Sequence, residues 1–195
     1  MDYGPSIALI VVDVQNDFAD PEGNLPVPGG ESVIPFINHQ IAQARQAGAL
    51  VVYTQDWHPE STPHFEKDGG IWPVHCVNGT KGAEFHPDLD LAGEAIFIKK
   101  GAGGEDGYSA FNIRDPESGE VSSTGLADQL RGRGVTANAV LGLALDYCVK
   151  ETAKDSVAEG FETSLLADGT SAVNLRSGDG TRAVAAIFLA GVSVE

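Results

Sequence analysis

The sequence is short of several things, and each shortage closes off a class of protein. It has two cysteines in 195 residues, Cys76 and Cys148, too few for the disulfide framework of a small secreted fold. Lys and Arg total 12 against 28 Asp and Glu, a formal charge of −16, so the basic face that a nucleic-acid backbone or an anionic membrane requires is missing. No apolar run approaches the ~20 residues of a membrane span. The first basic residue is Arg45, which leaves the N-terminus without the charged region of a signal peptide. The expectation is a cytoplasmic protein with neither nucleic acid nor membrane as its partner. What is in excess is glycine, 24 residues, many of them gathered where loops are expected. Charged residues at 21% and apolar ones at 42% are ordinary for a globular chain. The length predicts a single domain over 1–195 with a sizeable core.

Apolar patterning supplies the fold class. The run from Ser6 to Asp13 is continuously apolar up to its last residue, as for a parallel strand covered on both faces. Val33, Ile34, Ile37, Ile41 and Ala44 recur at helical spacing before Gly48, and Ala49 to Gln55 reads as a second buried strand. From Asp56 to Leu91 the periodicity fails while His, Pro, Gly and Trp accumulate, the mark of a functional loop. Further strands are expected at 94–99, 137–143, 161–167 and 192–194, with helices at 126–131, 146–159 and 180–190. This alternation predicts an α/β fold: a three-layer α/β/α arrangement around a mostly parallel, Rossmann-like sheet of about six strands, helices on both faces.

In such a sheet, ligands bind beyond the carboxyl ends of the strands. Asp13, Lys100 and Cys148 all fall at such ends. Cys148 is expected in the first turn of a helix, where free N–H groups and partial positive charge favour a thiolate and could receive an oxyanion. Position alone leaves other readings open: a small buried hydrophobe for Cys148, a turn residue for Asp13, a surface charge for Lys100. Asp56-Trp-His58, with His64 and His75 farther along the loop, gathers carboxylate and imidazole as a Zn²⁺, Fe²⁺ or Mn²⁺ site would; histidines in a polar loop could equally serve as hydrogen-bonding groups. Cys76, next to His75, is assigned to packing.

Taken together, Ile10-Val-Val-Asp-Val-Gln-Asn-Asp-Phe18, Asp56-Trp-His-Pro59, Trp72-Pro-Val-His-Cys76, Lys100-Gly-Ala102 and Asp146-Tyr-Cys-Val149 resemble the motifs of the nicotinamidase/pyrazinamidase group within the isochorismatase-like cysteine hydrolases. The likeness runs in matching order from about Ile7 to Ala172. It implies a catalytic triad of Asp13, Lys100 and Cys148, with Lys100 preferred to Lys99 because Gly-Ala follows it. It implies Asp56, His58 and His75 as ligands of one divalent metal ion, with His64 matching a fourth ligand of some members. It also implies a cis peptide between Leu143 and Ala144, and an oxyanion hole formed by the N–H groups of Ala144 and Cys148. Phe18, Trp72, Tyr108 and Leu143 are the substrate-binding positions it implies. Two features depart from the group: Tyr147, where His is frequent, and the length of the loop from Asp20 to Leu25.

The resemblance thus implies a metal-dependent amidohydrolase that converts nicotinamide to nicotinate and ammonia through a thioester, serves NAD salvage, and extends to pyrazinamide. Two rivals accompany it. One is an isochorismatase-like amidase acting on a non-pyridine substrate, against which Asp56, His58 and His75 argue. The other is a non-hydrolytic metal-binding or redox-sensing protein that uses Cys148 and Cys76.

Overall fold

The computed structural model describes residues 1–91, 93–104, 107–115 and 118–195. Six strands form one parallel sheet: β1 (Ile7–Val12), β2 (Leu50–Asp56), β3 (Ala95–Lys100), β6 (Ala137–Leu143), β7 (Glu162–Ser171) and β8 (Ser193–Val194). Their order is β3-β2-β1-β6-β7-β8. The chain therefore winds outward from β1 in one direction and from β6 in the other, and the crevice between those two strands is the switch point where such sheets bind ligands.

The helices are α1 (Asn16–Ala19), α2 (Ile34–Gln46), α3 (Leu126–Gly132), α4 (Lys150–Ala158) and α5 (Asp179–Leu189). Along β1, Leu9 and Val11 pack with Ile34, Ile37 and Ile41 of α2 on one face. Ala8, Ile10 and Val12 pack on the other with Leu126 and Leu130 of α3, Ala153 of α4 and Ile187 of α5. Period-2 alternation along a strand that is apolar on both sides builds the three layers that the continuous apolar run predicts. No helix among the described residues is long and apolar enough to cross a membrane.

The structure adds elements that the patterning does not anticipate. A hairpin of β4 (Asn112–Arg114) and β5 (Val121–Ser123) lies between β3 and α3; strands of three residues are too short to show periodicity. Strand β7 continues to Ser171, four residues past the expected end, across an irregularity in its pairing with β6. The expected helix at 146–159 opens with a π-helical turn over Leu145–Val149 and continues as α4. The bond between Leu143 and Ala144 is cis, as the resemblance implies. Just before it, Gly142 has φ +112°, and a Cβ there would stand 2.2 Å from the carbonyl oxygen of Val12. Only glycine lets β6 run this close to β1 at the mouth of the crevice.

Candidate active site

Strand register assembles the site. Asp56 and Lys100 end adjacent parallel strands and are Cα partners, so a lysine expected just beyond its strand is in fact its last residue, beside a carboxylate. Side chains alternate along β3: Lys99 is exposed, its Nζ 3.3 Å from the centre of the Trp57 ring, while Lys100 is wholly buried. The Lys100 ammonium donates to Asp13 Oδ2 at 2.7 Å, to Asp56 Oδ1 at 2.5 Å and to the Gly107 carbonyl at 2.7 Å, and lies 3.6 Å from Cys148 Sγ. One cation thus bridges the carboxylate of the expected triad and a carboxylate of the expected metal set. Asp13, also fully buried, accepts a 2.6 Å hydrogen bond from the Thr54 hydroxyl on its other oxygen.

The electrostatics follow from this burial. Burial raises the Asp13 carboxyl; Lys100 and Thr54 pull it back, Asp56 pushes it up, and it settles at about 6. Burial also raises Asp56, but the Lys100 ammonium and the two neighbouring imidazoles outweigh it and hold Asp56 well below the usual carboxylate range. Lys100 is held firmly charged, because Asp13 and Asp56 overcome its desolvation.

For Cys148 the thiolate expectation from a helix start is corrected. The residue does occupy the first turn of the helical segment, but burial drives its thiol well above its ordinary value, with Lys100 offsetting only part of the effect and a hydrogen bond to Asp13 adding to it. The resting sulfur is a thiol whose proton faces a carboxylate poised to take it.

Asp56, His58 and His75 bring one ligand atom each to within 4.8 Å of one another, all three residues buried. The Nε2 atoms of His58 and His75 lie 3.7 and 4.0 Å from Asp56 Oδ2, too long for direct hydrogen bonds and suited to a shared central ion. His75 Nδ1 is 2.8 Å from the Pro73 carbonyl, the outer contact that fixes the tautomer of a metal-binding imidazole. Nδ1 of His58, on the ring edge away from Asp56, has no hydrogen-bond partner among the described residues. The donor set therefore fits a divalent cation. His64 stands beside this trio, its ring centre 5.4 Å from that of His58.

Cys148 of the first cluster and Asp56, His58 and His75 of the second line one cavity, whose walls also include Phe18, Trp72, Tyr108, Tyr147 and Ala144; Asp13 and Lys100 lie buried behind Cys148. Trp72 Nε1 donates to the Tyr108 hydroxyl at 3.0 Å, and the Phe18 ring is tilted against His75. Leu143 does not line it. Its side chain is fully buried in the α2-side core, because consecutive residues at a strand end point to opposite faces. Cys76 is buried in that same core.

Two residues of the site escape the sequence reading. The fully buried Gln15 amide donates to the Asp56 carbonyl and accepts from the Asp56 N–H, both at 2.8 Å, pinning that ligand's backbone from both sides. Thr54 orients Asp13. The available signal was polar character at the end of apolar strands, a Thr within Val51–Tyr53–Gln55 and a Gln two residues after Asp13.

Residues 7–193 match the isochorismatase domain family. A nicotinamidase/pyrazinamidase of Mycobacterium tuberculosis is 42% identical over 171 residues, covering 86% of this chain and 87% of that protein. The pyrazinamidase of Pyrococcus horikoshii, solved in complex with zinc, is 41% identical and superimposes with a TM-score of 0.86, covering 98% of this chain and 99% of that one. A protein of L. infantum solved in complex with nicotinate is 37% identical, with a TM-score of 0.90 over 100% of this chain and 95% of that one. The matched residues span every strand that bounds the crevice, and the chain belongs to the isochorismatase family.

Proposed function

We propose that this protein is a nicotinamidase: it hydrolyses nicotinamide to nicotinate and ammonia, accepts pyrazinamide as well, and serves NAD salvage. One observation carries the reading. Cys148, with Asp13 and Lys100 buried behind it, and the Asp56–His58–His75 cluster face a single aromatic-walled cavity, which suits a flat ring that bears both a carboxamide and a metal-binding nitrogen. An amidase for non-pyridine substrates has no evident use for the second cluster.

Asp13 starts the reaction. With a pKa of about 6 it is ionised at neutral pH, yet basic enough to accept the Cys148 proton as Sγ bonds to the carboxamide carbon. The carbonyl electrons move onto oxygen, and the backbone N–H groups of Ala144 and Cys148 receive that charge; such donors are typically worth ~3–4 kcal/mol. Asp13 passes its proton to the amide nitrogen, the C–N bond breaks, and ammonia leaves a thioester on Cys148. A water that gives its proton to Asp13 then attacks the thioester carbon. The acid departs, and Cys148 recovers its proton. Lys100 keeps Asp13 ionised and oriented throughout.

Asp56, His58 and His75 would hold the divalent ion, with His64 as a fourth ligand; one carboxylate with imidazoles suits zinc or iron(II), and manganese less well. When bound, such an ion would supply Lewis acidity able to anchor a ring nitrogen. Phe18, Trp72 and Tyr108 supply flat walls for the ring.

The test is ammonia release over a panel of aromatic and aliphatic amides, before and after chelation and metal restoration. The expected result is the highest kcat/KM on nicotinamide, lost on chelation. Equal turnover of aliphatic amides, or indifference to the chelator, would overturn the reading.

A further inference from the structure

Among the described residues, the substrate cavity has a neighbour. A surface groove formed by the π-helical turn, α5 and the loop before it is lined by Ile71, Lys150, Leu175, Arg176 and Arg182. The free space of the groove, about 470 Å³, is far larger than that of the substrate cavity, about 30 Å³. Tyr147 lines both. Its ring meets Trp72 edge-on at 4.8 Å between centres and lies 5.9 Å from that of Tyr108, so on the cavity side it completes the aromatic wall. On the groove side, Lys150 Nζ sits 5.8 Å from the centre of its ring, and Asp179 and Arg176 are among the charges that act on its hydroxyl.

We propose that Tyr147 is the specificity-determining residue that sets the size of ring this enzyme accepts, by standing as the partition between the tight substrate cavity and the roomy groove. This rests on the pyridine-amide reading above. A bare ring is confined by Trp72, Tyr108 and Tyr147 together. A substituent on the ring edge facing Tyr147 meets the phenol ring, and past that ring there is open space. Removing the ring joins the two volumes, so a substituent excluded from the native cavity acquires room. Trp72 and Tyr108 brace each other through the indole N–H to phenol hydrogen bond, whereas the ring of Tyr147 is fixed by packing against them, which makes it the part of the wall that can be trimmed without breaking a side-chain hydrogen bond among the described residues.

The experiment compares wild type, Tyr147→Phe, Tyr147→Leu and Tyr147→Ala. The substrates are nicotinamide and a series of nicotinamides carrying one methyl or one phenyl group at each free ring carbon in turn. Steric discrimination of this kind is worth about tenfold or more for a misplaced group. For at least one ring position, the ratio of kcat/KM for nicotinamide to that for the substituted amide should fall about tenfold in Tyr147→Ala. The fall should be smaller in Tyr147→Leu, and Tyr147→Phe should keep the wild-type ratio because it keeps the wall. The change should reside mainly in KM of the substituted amide, which a general loosening of the fold would not produce.

Should the alanine variant fail to fold, the leucine variant decides. Ratios that stay within twofold of wild type at every ring position in the folded variants would overturn the proposal. Loss of selectivity in Tyr147→Phe equal to that in Tyr147→Ala would do the same, since it would assign the effect to the hydroxyl. Failure of the underlying reading looks different: wild type would then release no ammonia from unsubstituted nicotinamide.

Discussion

Replacing Lys100 by Met retains an unbranched apolar stem and removes an ammonium that donates to Asp13, Asp56 and the Gly107 carbonyl within 2.5–2.7 Å. Two buried carboxylates are left facing each other with no cation between them, and the loss of one partner from a buried ion pair typically costs ~3–5 kcal/mol of stability. Against a total of ~5–15 kcal/mol for an ordinary domain, the variant should stay folded at 25 °C with a clearly lowered urea midpoint.

The effect on activity follows from Asp13. Burial has already raised it to about 6, with Lys100 the largest influence pulling it down. Taking that influence away moves it higher still, and each further unit removes a factor of ten from the ionised base at pH values below the new pKa. The sign is definite. Only ionised Asp13 can accept the thiol proton, so wild-type kcat/KM rises as pH increases through about 6, and in Lys100→Met that rise is displaced to higher pH. At pH 7, kcat/KM should fall at least about 100-fold, the low end of what a general base contributes. Lys99→Met is the control: the exposed Lys99 gives up a contact with Trp57 worth no more than about 1 kcal/mol, and activity stays near wild type. The assays are kcat/KM from pH 5 to 9 and urea unfolding of both variants. A folded Lys100→Met retaining more than a tenth of wild-type kcat/KM at pH 7, with its acid limb unmoved, would refute this account of the bridging ammonium.

Two further outcomes are expected. Cys148→Ala should abolish turnover and iodoacetamide labelling at that position, whereas Cys76→Ala should keep most activity and lose stability through its buried site; substantial ammonia release by Cys148→Ala would exclude the thioester. His58→Ala should lower metal content and bring nicotinamide hydrolysis down toward the rate for benzamide, which has no ring nitrogen, and His64→Ala should retain more metal than His58→Ala or His75→Ala; equal losses on both amides, with metal content measured alongside, would remove the ring-anchoring role.

Local chemistry accounts for how much of this was legible in advance. The apolar run before Asp13, the helical spacing from Val33 to Ala44 and the alternation that follows determine the layers and the parallel sheet, because burial on two faces leaves a continuous apolar signature in a short strand. Asp13, Lys100 and Cys148 stand out because each falls at a strand end or helix start, and Asp56, His58 and His75 because carboxylate and imidazoles gather in one loop; the family resemblance is what assigned them roles. A one-dimensional pattern carries no register between strands. That Asp56 and Lys100 end level with each other, so that one ammonium serves two carboxylates, was decided by strand pairing across 44 residues of chain. The thiol state of Cys148 was likewise tertiary: its place at a helix start favours a thiolate, but enclosure by neighbouring segments desolvates the sulfur, and Asp56 and Asp13 add to that effect beyond what Lys100 offsets. Leu143 shows the same limit, because the face on which a strand's last side chain lands is set by what packs there. So does Tyr147, which the sequence marks only as a departure from the group and which becomes a partition only once the groove beside it exists.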